Sequence, residues 1–284
     1  MIFINNQSKL DEVCQSLSLE KILYMDTEFD RRRTYYAILS IVQISTSNQK
    51  IIIDALAKLD LTPLKNLLDN PDIIKVFHSP DQDFDIFYQT FKTLPKNVFD
   101  TQVAANVCGM EEGMGYGRLC MAMLKIDLDK SFQKANWLQR PLPAKLLEYA
   151  IRDTEFLIPL HRMLSETLSG RKLWDNYKAR SVKLTDVNSY KFSPEKILAR
   201  MRLRNKTDAF MNNLIHFIIL REECAQTLDV PRSHCAHDDD LVAMCTYLPI
   251  NMEELKKYRL SFLPMSKEKF KDKIFDLCAG LKNQ

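Results

Sequence analysis

The hydrophobic period changes once along this chain, and that change constrains its architecture more than any single motif. Ile22-Leu23-Tyr24-Met25 runs into Asp26-Thr27-Glu28-Phe29, Ile38 to Ile44 alternates apolar with polar residues, and Lys50 to Ile53 closes a third apolar run. Three consecutive strands are predicted. Leu61, Leu64, Leu67 and Leu68 then fall at helical spacing, Ile73 to Phe77 reads as a buried strand, and Phe84, Phe87, Tyr88 and Phe91 form the stripe of a second helix. After Val98-Phe99 the pattern is helical through 101–108, 117–125 and 144–168. The first 168 residues are therefore expected to form a mixed α/β domain, with helices packed on a central sheet.

Residues 169–193 lose clean periodicity and hold Gly170, Asn176, Asp186, Asn188 and Ser189, so they are expected to link two domains. Ser193-Pro194-Glu195 opens a helix, with Ser193 as N-cap and Pro194 at the first helical position. Further helices are predicted over roughly 207–228, 238–247, 251–258 and 266–281, which makes 194–284 a smaller all-α domain. A length of 284 residues suits two cores better than one.

The seven cysteines are scattered and contain no C-x-x-C pair, so thiols are expected rather than a disulfide framework. His234, Cys235 and His237, ahead of Asp238, Asp239 and Asp240, lack the spacing of a structural zinc site and read as a polar loop ending in a helix N-cap. The longest apolar run, Leu214 to Leu220, stops at Arg221, well short of the roughly 18 residues of a membrane span. A transmembrane helix is excluded, and the first twelve residues lack the basic start and apolar core of a secretory signal, so the expected location is cytoplasmic. The net charge of +3 conceals an asymmetry, −2 over residues 1–140 and +5 over 141–284. Residues 171–206 alone carry eleven Lys and Arg against Asp175, Asp186 and Glu195. On charge alone such a stretch fits a phosphate backbone and a solvated linker equally well.

Chemistry concentrates in a few acids and a tyrosine. Asp26 and Glu28 stand at i and i+2 near the end of an apolar strand, so alternation sends both carboxylates to one face. Burying two like charges beside a sheet is costly unless a cation sits between them or they face water. A second group, Asp81, Asp83 and Asp85, follows Phe77-His78. There Ser79 is expected as N-cap, Pro80 as first helical residue and Gln82 as capping-box partner. Asp81 complements the helix dipole, whereas Asp83 and Asp85 flank the aromatic stripe on opposite sides, and helical geometry does not choose between them. Tyr149 and Asp153 stand at i and i+4 and share a helix face. Together these elements supply what a two-metal phosphodiesterase site requires: several hard oxygen ligands for two divalent ions about 4 Å apart.

At this point the chain resembles a known family, the ribonuclease D branch of the DEDD 3′→5′ exonucleases, in the subgroup whose last motif carries tyrosine. Asp26-Thr27-Glu28-Phe29, Arg33-Thr34-Tyr35-Tyr36 and Gln43 are similar to its first motif and strand, and Phe77-His78 through Asp83 to its second. Phe99-Asp100-Thr101-Gln102, Gly115-Tyr116-Gly117, Leu128-Asp129-Lys130, Trp137-Leu138-Gln139-Arg140-Pro141-Leu142 and Tyr149-Ala150-x-x-Asp153 complete the series over about residues 20–165. The resemblance implies a ribonuclease H-like mixed sheet with flanking helices. It assigns the second motif's aspartate to Asp83, makes Asp26, Glu28, Asp83 and Asp153 the metal-site residues, with Asp26 shared by two ions and Asp83 acting through water, and has Tyr149 orient the nucleophile. Mg²⁺ is the expected metal, with Mn²⁺ as a substitute.

Other polar residues here have ordinary readings. His78 is expected to be structural or substrate-orienting, Trp137 and Arg140-Pro141 fit a nucleotide clamp and a loop anchor equally, and Arg31 to Arg33 read as a solvated charge run. Pro80 and Asn136 depart from the family pattern, which bears on substrate grip rather than on the five catalytic positions. Residues 194–275 resemble the helicase and RNase D C-terminal (HRDC) domain, an auxiliary nucleic-acid binder, through Arg221-Glu222-Glu223-Cys224-Ala225, Val230-Pro231-Arg232, Asp240-Leu241 and Leu248-Pro249-x-Asn251-x-x-Glu254-Leu255. The glycine-containing turn expected after Leu255 is replaced by Tyr258-Arg259-Leu260. The implied function is a metal-dependent 3′→5′ exoribonuclease that trims RNA, tRNA precursors among them, to nucleoside 5′-monophosphates. The alternatives are a DNA 3′→5′ exonuclease and an inactive RNA-binding scaffold. No feature calls for a membrane or an obligate protein partner.

Overall fold

The computed structural model describes residues 1–129, 131–132 and 135–283, so Lys130 of the Leu128-Asp129-Lys130 motif lies outside the described residues. The chain divides into two compact units, one of residues 1–30 and 38–191, the other of 31–37 and 192–284. No helix among the described residues is long and apolar enough to cross a membrane.

The first unit is built on a six-stranded sheet: β1 (Ile2–Ile4), β2 (Ile22–Asp30), β3 (Ile38–Ser45), β4 (Lys50–Asp54), β5 (Ile74–Phe77) and β6 (Val98–Asp100). Their order is β1-β4-β3-β2-β5-β6. β2 runs antiparallel to β3 and parallel to β5, so the sheet is mixed about its central strand. The expected strands at 22–29, 38–44, 50–53 and 73–77 all form, because their apolar residues, Leu23, Met25, Ile41, Ile44, Ile52 and Val76 among them, are fully buried between helices. β1 pairs in parallel with β4 and adds an edge that three apolar residues did not announce.

Around the sheet lie α1 (Gln7–Leu17), α2 (Thr62–Asp69), α3 (Asp81–Phe91), α4 (Thr101–Val107), α5 (Tyr116–Leu124), α6 (Ala144–Glu155) and α7 (Leu157–Gly170). The long helical stretch expected over 144–168 is two helices, parted at Phe156. The start of α3 also differs from expectation. Pro80, not Ser79, is the N-cap, and no side chain caps it. Ser79 turns to φ 54°, and its N–H donates to Asp100 Oδ1 at 2.9 Å. The demand of that buried carboxylate outweighs the local capping pattern.

The expected linker at 169–193 is corrected by the structure. α8 (Trp174–Ser181) and two 3₁₀ turns, Val182–Thr185 and Val187–Ser189, occupy it, and residues through Lys191 belong to the first unit. Tyr177 is the reason: its ring stacks on Phe99 at 5.0 Å, and its hydroxyl accepts from the Asp100 N–H at 2.9 Å. A single buried aromatic per turn is too sparse to register as a periodic stripe.

The second unit is helical: α9 (Pro194–Arg200), α10 (Asp208–Leu228), α11 (Arg232–Cys235), α12 (Asp238–Tyr247), α13 (Met252–Lys257) and α14 (Glu268–Lys282). Ser193 caps α9 as expected, its side chain accepting from Lys196 N–H. His237 caps α12, and Asp240 accepts from its backbone N–H at 2.7 Å, which accounts for the His-rich, acidic stretch as a helix start. Leu214, Phe217, Ile218, Leu241, Met244, Leu255 and Ile274 fill the core. Two charges of α10 are buried with partners: Arg221 donates to Asp238 at 2.7 Å, while Glu222 accepts from Arg232 and from the hydroxyl of Tyr35 in the 31–37 segment. Arg259, at φ 58°, turns the chain where a glycine was expected.

Candidate active site

β2 delivers the first two acids. Asp26 and Glu28 alternate with Met25 and Thr27 along the strand, so the carboxylates share one face. A bulge between Glu28 and Phe29 shifts the register with β3, and the pairing resumes at Phe29 with Leu39 and Asp30 with Ile38. α6 delivers the next pair: Leu146, Ala150, Ile151 and Thr154 bury one face of it, and Thr154 Oγ1 meets Ser45 Oγ of β3 at 2.7 Å. That anchoring holds Tyr149 and Asp153, one helical turn apart, against β2.

One carboxylate oxygen from each of Asp26, Glu28 and Asp153 lies within 4.8 Å of the other two. Asp83 does not join this triangle. It is 7% exposed at the start of α3 and accepts a hydrogen bond from the hydroxyl of Thr27, which lies between Asp26 and Glu28 in β2. Its charge nonetheless acts on both of those acids. Asp83 therefore neighbours the site; its charge and that of Asp85 both act on Tyr190.

The electrostatics follow from burial and mutual repulsion. Burial, then the charges of Asp83, Asp153 and Glu28, hold the Asp26 carboxyl well above the ordinary carboxylate range. Burial followed by Asp153 and Asp83 pushes Glu28 up to about 9. Asp153 rises to about 7 through burial, opposed by the hydrogen bond from the Tyr149 hydroxyl. Burial lifts Asp83 to about 6 against the hydrogen bonds from Thr27. Burial, Asp153, Glu28 and Asp26 in turn raise the Tyr149 phenol, which stays protonated and acts as a donor. Hard oxygen donors alone, crowded so that each opposes the ionisation of the next, fit a divalent cation such as Mg²⁺.

Beside the triangle opens a cavity of about 320 Å³, lined by Asp26, Tyr149 and Asp153 together with His78, Tyr116, Arg118 and Asp129. That volume is at the lower end of small-molecule sites, about 300–1,000 Å³. His78 is tied by Nδ1 to Thr101 Oγ1 at 2.9 Å, and the Thr101 hydroxyl donates to the Phe77 carbonyl, so the ring donates to Thr101. Burial brings His78 down to about 4, which keeps the ring neutral. It is a fixed wall of the cavity. Tyr116, Arg118 and Asp129 were not marked as site residues from sequence; only the Gly115-Tyr116-Gly117 and Leu128-Asp129 motifs hinted at them.

Trp137 and Arg140 prove to be anchors. Arg140 forms a bidentate ion pair with Asp54, at 2.9 and 2.7 Å, and donates to the carbonyls of Ser40, Trp137 and Gln139. Trp137 is 2% exposed and packs with Leu142, Leu146 and Ala150, 6.2 Å from the Tyr149 ring. Both residues brace the loop behind Tyr149. Arg31 to Arg33 fall in the segment that belongs to the second unit.

The family model described as 3′-5′ exonuclease matches residues 1–169. Ribonuclease D of Gluconacetobacter diazotrophicus is 33% identical over 259 residues, covering 91% of this chain and 66% of the relative. Ribonuclease D of Zymomonas mobilis is 35% identical over 260 residues, covering 90% and 66% respectively. The chain thus spans about two thirds of the length of these relatives. Among solved structures, Escherichia coli RNase D, an exoribonuclease involved in structured RNA processing, matches 99% of this chain and 75% of its own, with a TM-score of 0.87 and 24% identity. That likeness is one of fold.

Proposed function

Because the chain belongs to the 3′-5′ exonuclease family, in its ribonuclease D branch, we propose that it is a metal-dependent exoribonuclease that removes nucleotides from RNA 3′ ends as nucleoside 5′-monophosphates. The observation that carries this reading is the triangle of Asp26, Glu28 and Asp153, with the Tyr149 hydroxyl bonded to Asp153 at the edge of the cavity. Asp26 would be shared between two Mg²⁺ or Mn²⁺ ions, Glu28 and Asp153 would complete one site, and Asp83, steadied by Thr27, would serve the other through water. Such ions, when bound, activate the attacking water and neutralise charge on the phosphate and the leaving 3′ oxygen. The chain's own groups do the rest. The neutral Tyr149 phenol orients the attacking water by a hydrogen bond, the cavity walls at His78 and Tyr116 enclose the terminal nucleotide, and no histidine base is needed.

Escherichia coli RNase D is described as involved in structured RNA processing, and structured RNAs with single-stranded 3′ ends, tRNA precursors among them, are the substrates proposed. The second unit is read as an HRDC-like domain, supported by its capped helices and by the buried Arg221 and Glu222 pairs.

A gel time course on matched 5′-labelled single-stranded RNA and DNA, with Mg²⁺ or EDTA, tests the reading. RNA should shorten from its 3′ end only with metal, and Asp26→Ala should slow this by more than about 10³-fold, since several kcal/mol are lost at about 1.36 kcal/mol per tenfold. Full activity in purified Asp26→Ala would sink the metal assignment. Cleavage of DNA alone would make the chain a DNA exonuclease, and retained RNA binding without cleavage would make it a scaffold.

A further inference from the structure

Gln43 belongs to the motif series of the sequence, yet the triangle of acids does not include it. It stands in β3, is 0% exposed, and neither its Nε2 nor its Oε1 meets a hydrogen-bond partner among the described residues. A buried amide left without partners is costly, and natural folds keep few of them. Packing alone does not account for it, because Met or Leu would fill the same space without the polar atoms.

The register of the sheet supplies a reason. β3 runs antiparallel to β2 and Gln43 pairs with Asp26, so both side chains leave the same face, with Cβ atoms about 4.5–5.5 Å apart. On the other side β4 places Ile52 opposite Gln43, and along β3 the same face carries Ile41 and Ser45. This is the face that α6 covers: Ile41 and Ile52 pack in one cluster with Ala150 and Ile151, and Ser45 Oγ meets Thr154 Oγ1 at 2.7 Å. Of the four nearest sheet neighbours of Gln43, two are thus hydrocarbon and Ser45 is engaged with Thr154. Asp26 is the fourth, the acid that the metal reading places between two ions.

A carboxylate that holds a metal is itself held by hydrogen bonds, which fix the direction of its oxygens. Asp26 accepts from the Thr27 N–H, and an amide on the neighbouring strand offers a further donor. A lysine or arginine at that place would repel the cation, whereas a neutral amide donates without opposing it. We propose that Gln43 is a positioning residue for Asp26: when divalent cations are held at the site, its Nε2 donates to the Asp26 carboxylate and keeps that group turned toward them. The inference rests on the metal reading of the acids. The amide is kept ready for the loaded site at the expense of the metal-free fold.

A structural glutamine and a positioning one predict opposite signs, and the full chain can report which applies. Calorimetry at pH 8 follows the transition of the first unit in EDTA and against rising Mg²⁺, in the wild type, Gln43→Met and Gln43→Leu. Without metal both variants should melt at least about 2 °C higher, because hydrocarbon of similar size replaces an unmatched buried amide. The Mg²⁺ concentration needed for a given rise in Tm should nevertheless be about 10- to 100-fold higher in both. In the nuclease assay the Mg²⁺ concentration at half-maximal rate should move in the same direction, with KM for RNA at saturating Mg²⁺ unchanged. An equal Mg²⁺ response in wild type and variants would overturn the proposal. So would a loss of metal-free stability in both variants, which would mean that the amide serves the fold. Either result leaves the metal reading standing, whereas a wild type whose transition ignores Mg²⁺ would overturn that reading and this inference together.

Discussion

Asp83 and Asp85 differ by half a helical turn, and the proposal gives the site only the first. Asp83 is buried and held by Thr27, with its charge acting on Asp26, while Asp85 is half-buried. Replacing Asp83 with Ala should cost about 10- to 100-fold in cleavage rate, and Asp85→Ala should leave the rate within about threefold, since groups that steady a metal site carry about 10- to 100-fold of its affinity or activity. Single-turnover rates at saturating Mg²⁺ settle the comparison, and the reverse order would place the wrong carboxylate at the metals. Tyr149 is read by a different logic. Its raised pKa keeps it a phenol, so it contributes a donated hydrogen bond rather than proton abstraction. Tyr149→Phe should slow turnover about 10²-fold, comparable to loss of one preorganised donor, with KM little changed. A pH–rate profile of unchanged shape in the variant would confirm that the hydroxyl does not titrate in the reaction.

Elements announced themselves in the sequence wherever their burial was periodic or continuous, and stayed hidden wherever it was sparse. The strands at 22–30, 38–45 and 50–54 are short apolar runs buried over most of their length, and the helices α10, α12 and α14 each bury a face, so both kinds are readable. β1 is too short to show a period, and its partner β4 is some fifty residues away. α8 reads as a linker in the sequence because Tyr177 is its one buried residue. The site was legible in the same uneven way. The i, i+2 and i, i+4 spacings placed Asp26 with Glu28 and Tyr149 with Asp153, but the bond from Thr27 to Asp83 joins two elements across the sheet, and no local spacing carries it. Several helices end on non-glycine residues in the left-handed region, an element-level strain that substitution can relieve. Lys125 closes α5 at φ 62° and is exposed. Lys125→Gly should stabilise the first unit by about 1 kcal/mol, the usual penalty for a side chain in that conformation. Urea denaturation would register the gain as a higher midpoint at constant slope, and a lower midpoint would mean that the Lys125 stem contributes packing that outweighs the strain.

At the scale of the whole molecule, one unit holds a cluster of converging, largely buried acids that oppose one another, and among the described residues the other holds no such cluster, so pH and divalent metal should act on the two unequally. Glu28 at about 9 and Asp153 at about 7 are raised above their ordinary values near 4. Between those limits the folded unit therefore binds more protons than the unfolded chain. Its stability is fully present below pH 4 on this account and declines as pH rises through 7 and 9. A divalent cation that binds the ionised acids offsets that loss, and more so at high pH, where fewer protons must be displaced. Two compact cores unfold as separable transitions when they do not depend on one another. Calorimetry at pH 8 should then show one transition rising by about 5–10 °C when Mg²⁺ reaches 100 times its dissociation constant. This follows from about 2.7 kcal/mol of linkage at about 2–4 °C per kcal/mol for a unit of this size. At pH 5.5 the same addition should give less than half that rise. Asp26→Ala, which removes both a ligand and a source of repulsion, should raise the metal-free transition at pH 8 and abolish its response to Mg²⁺. A transition that ignores Mg²⁺ at both pH values, or an Asp26→Ala protein that still responds, would mean that the acids of β2 and α6 do not hold the metal.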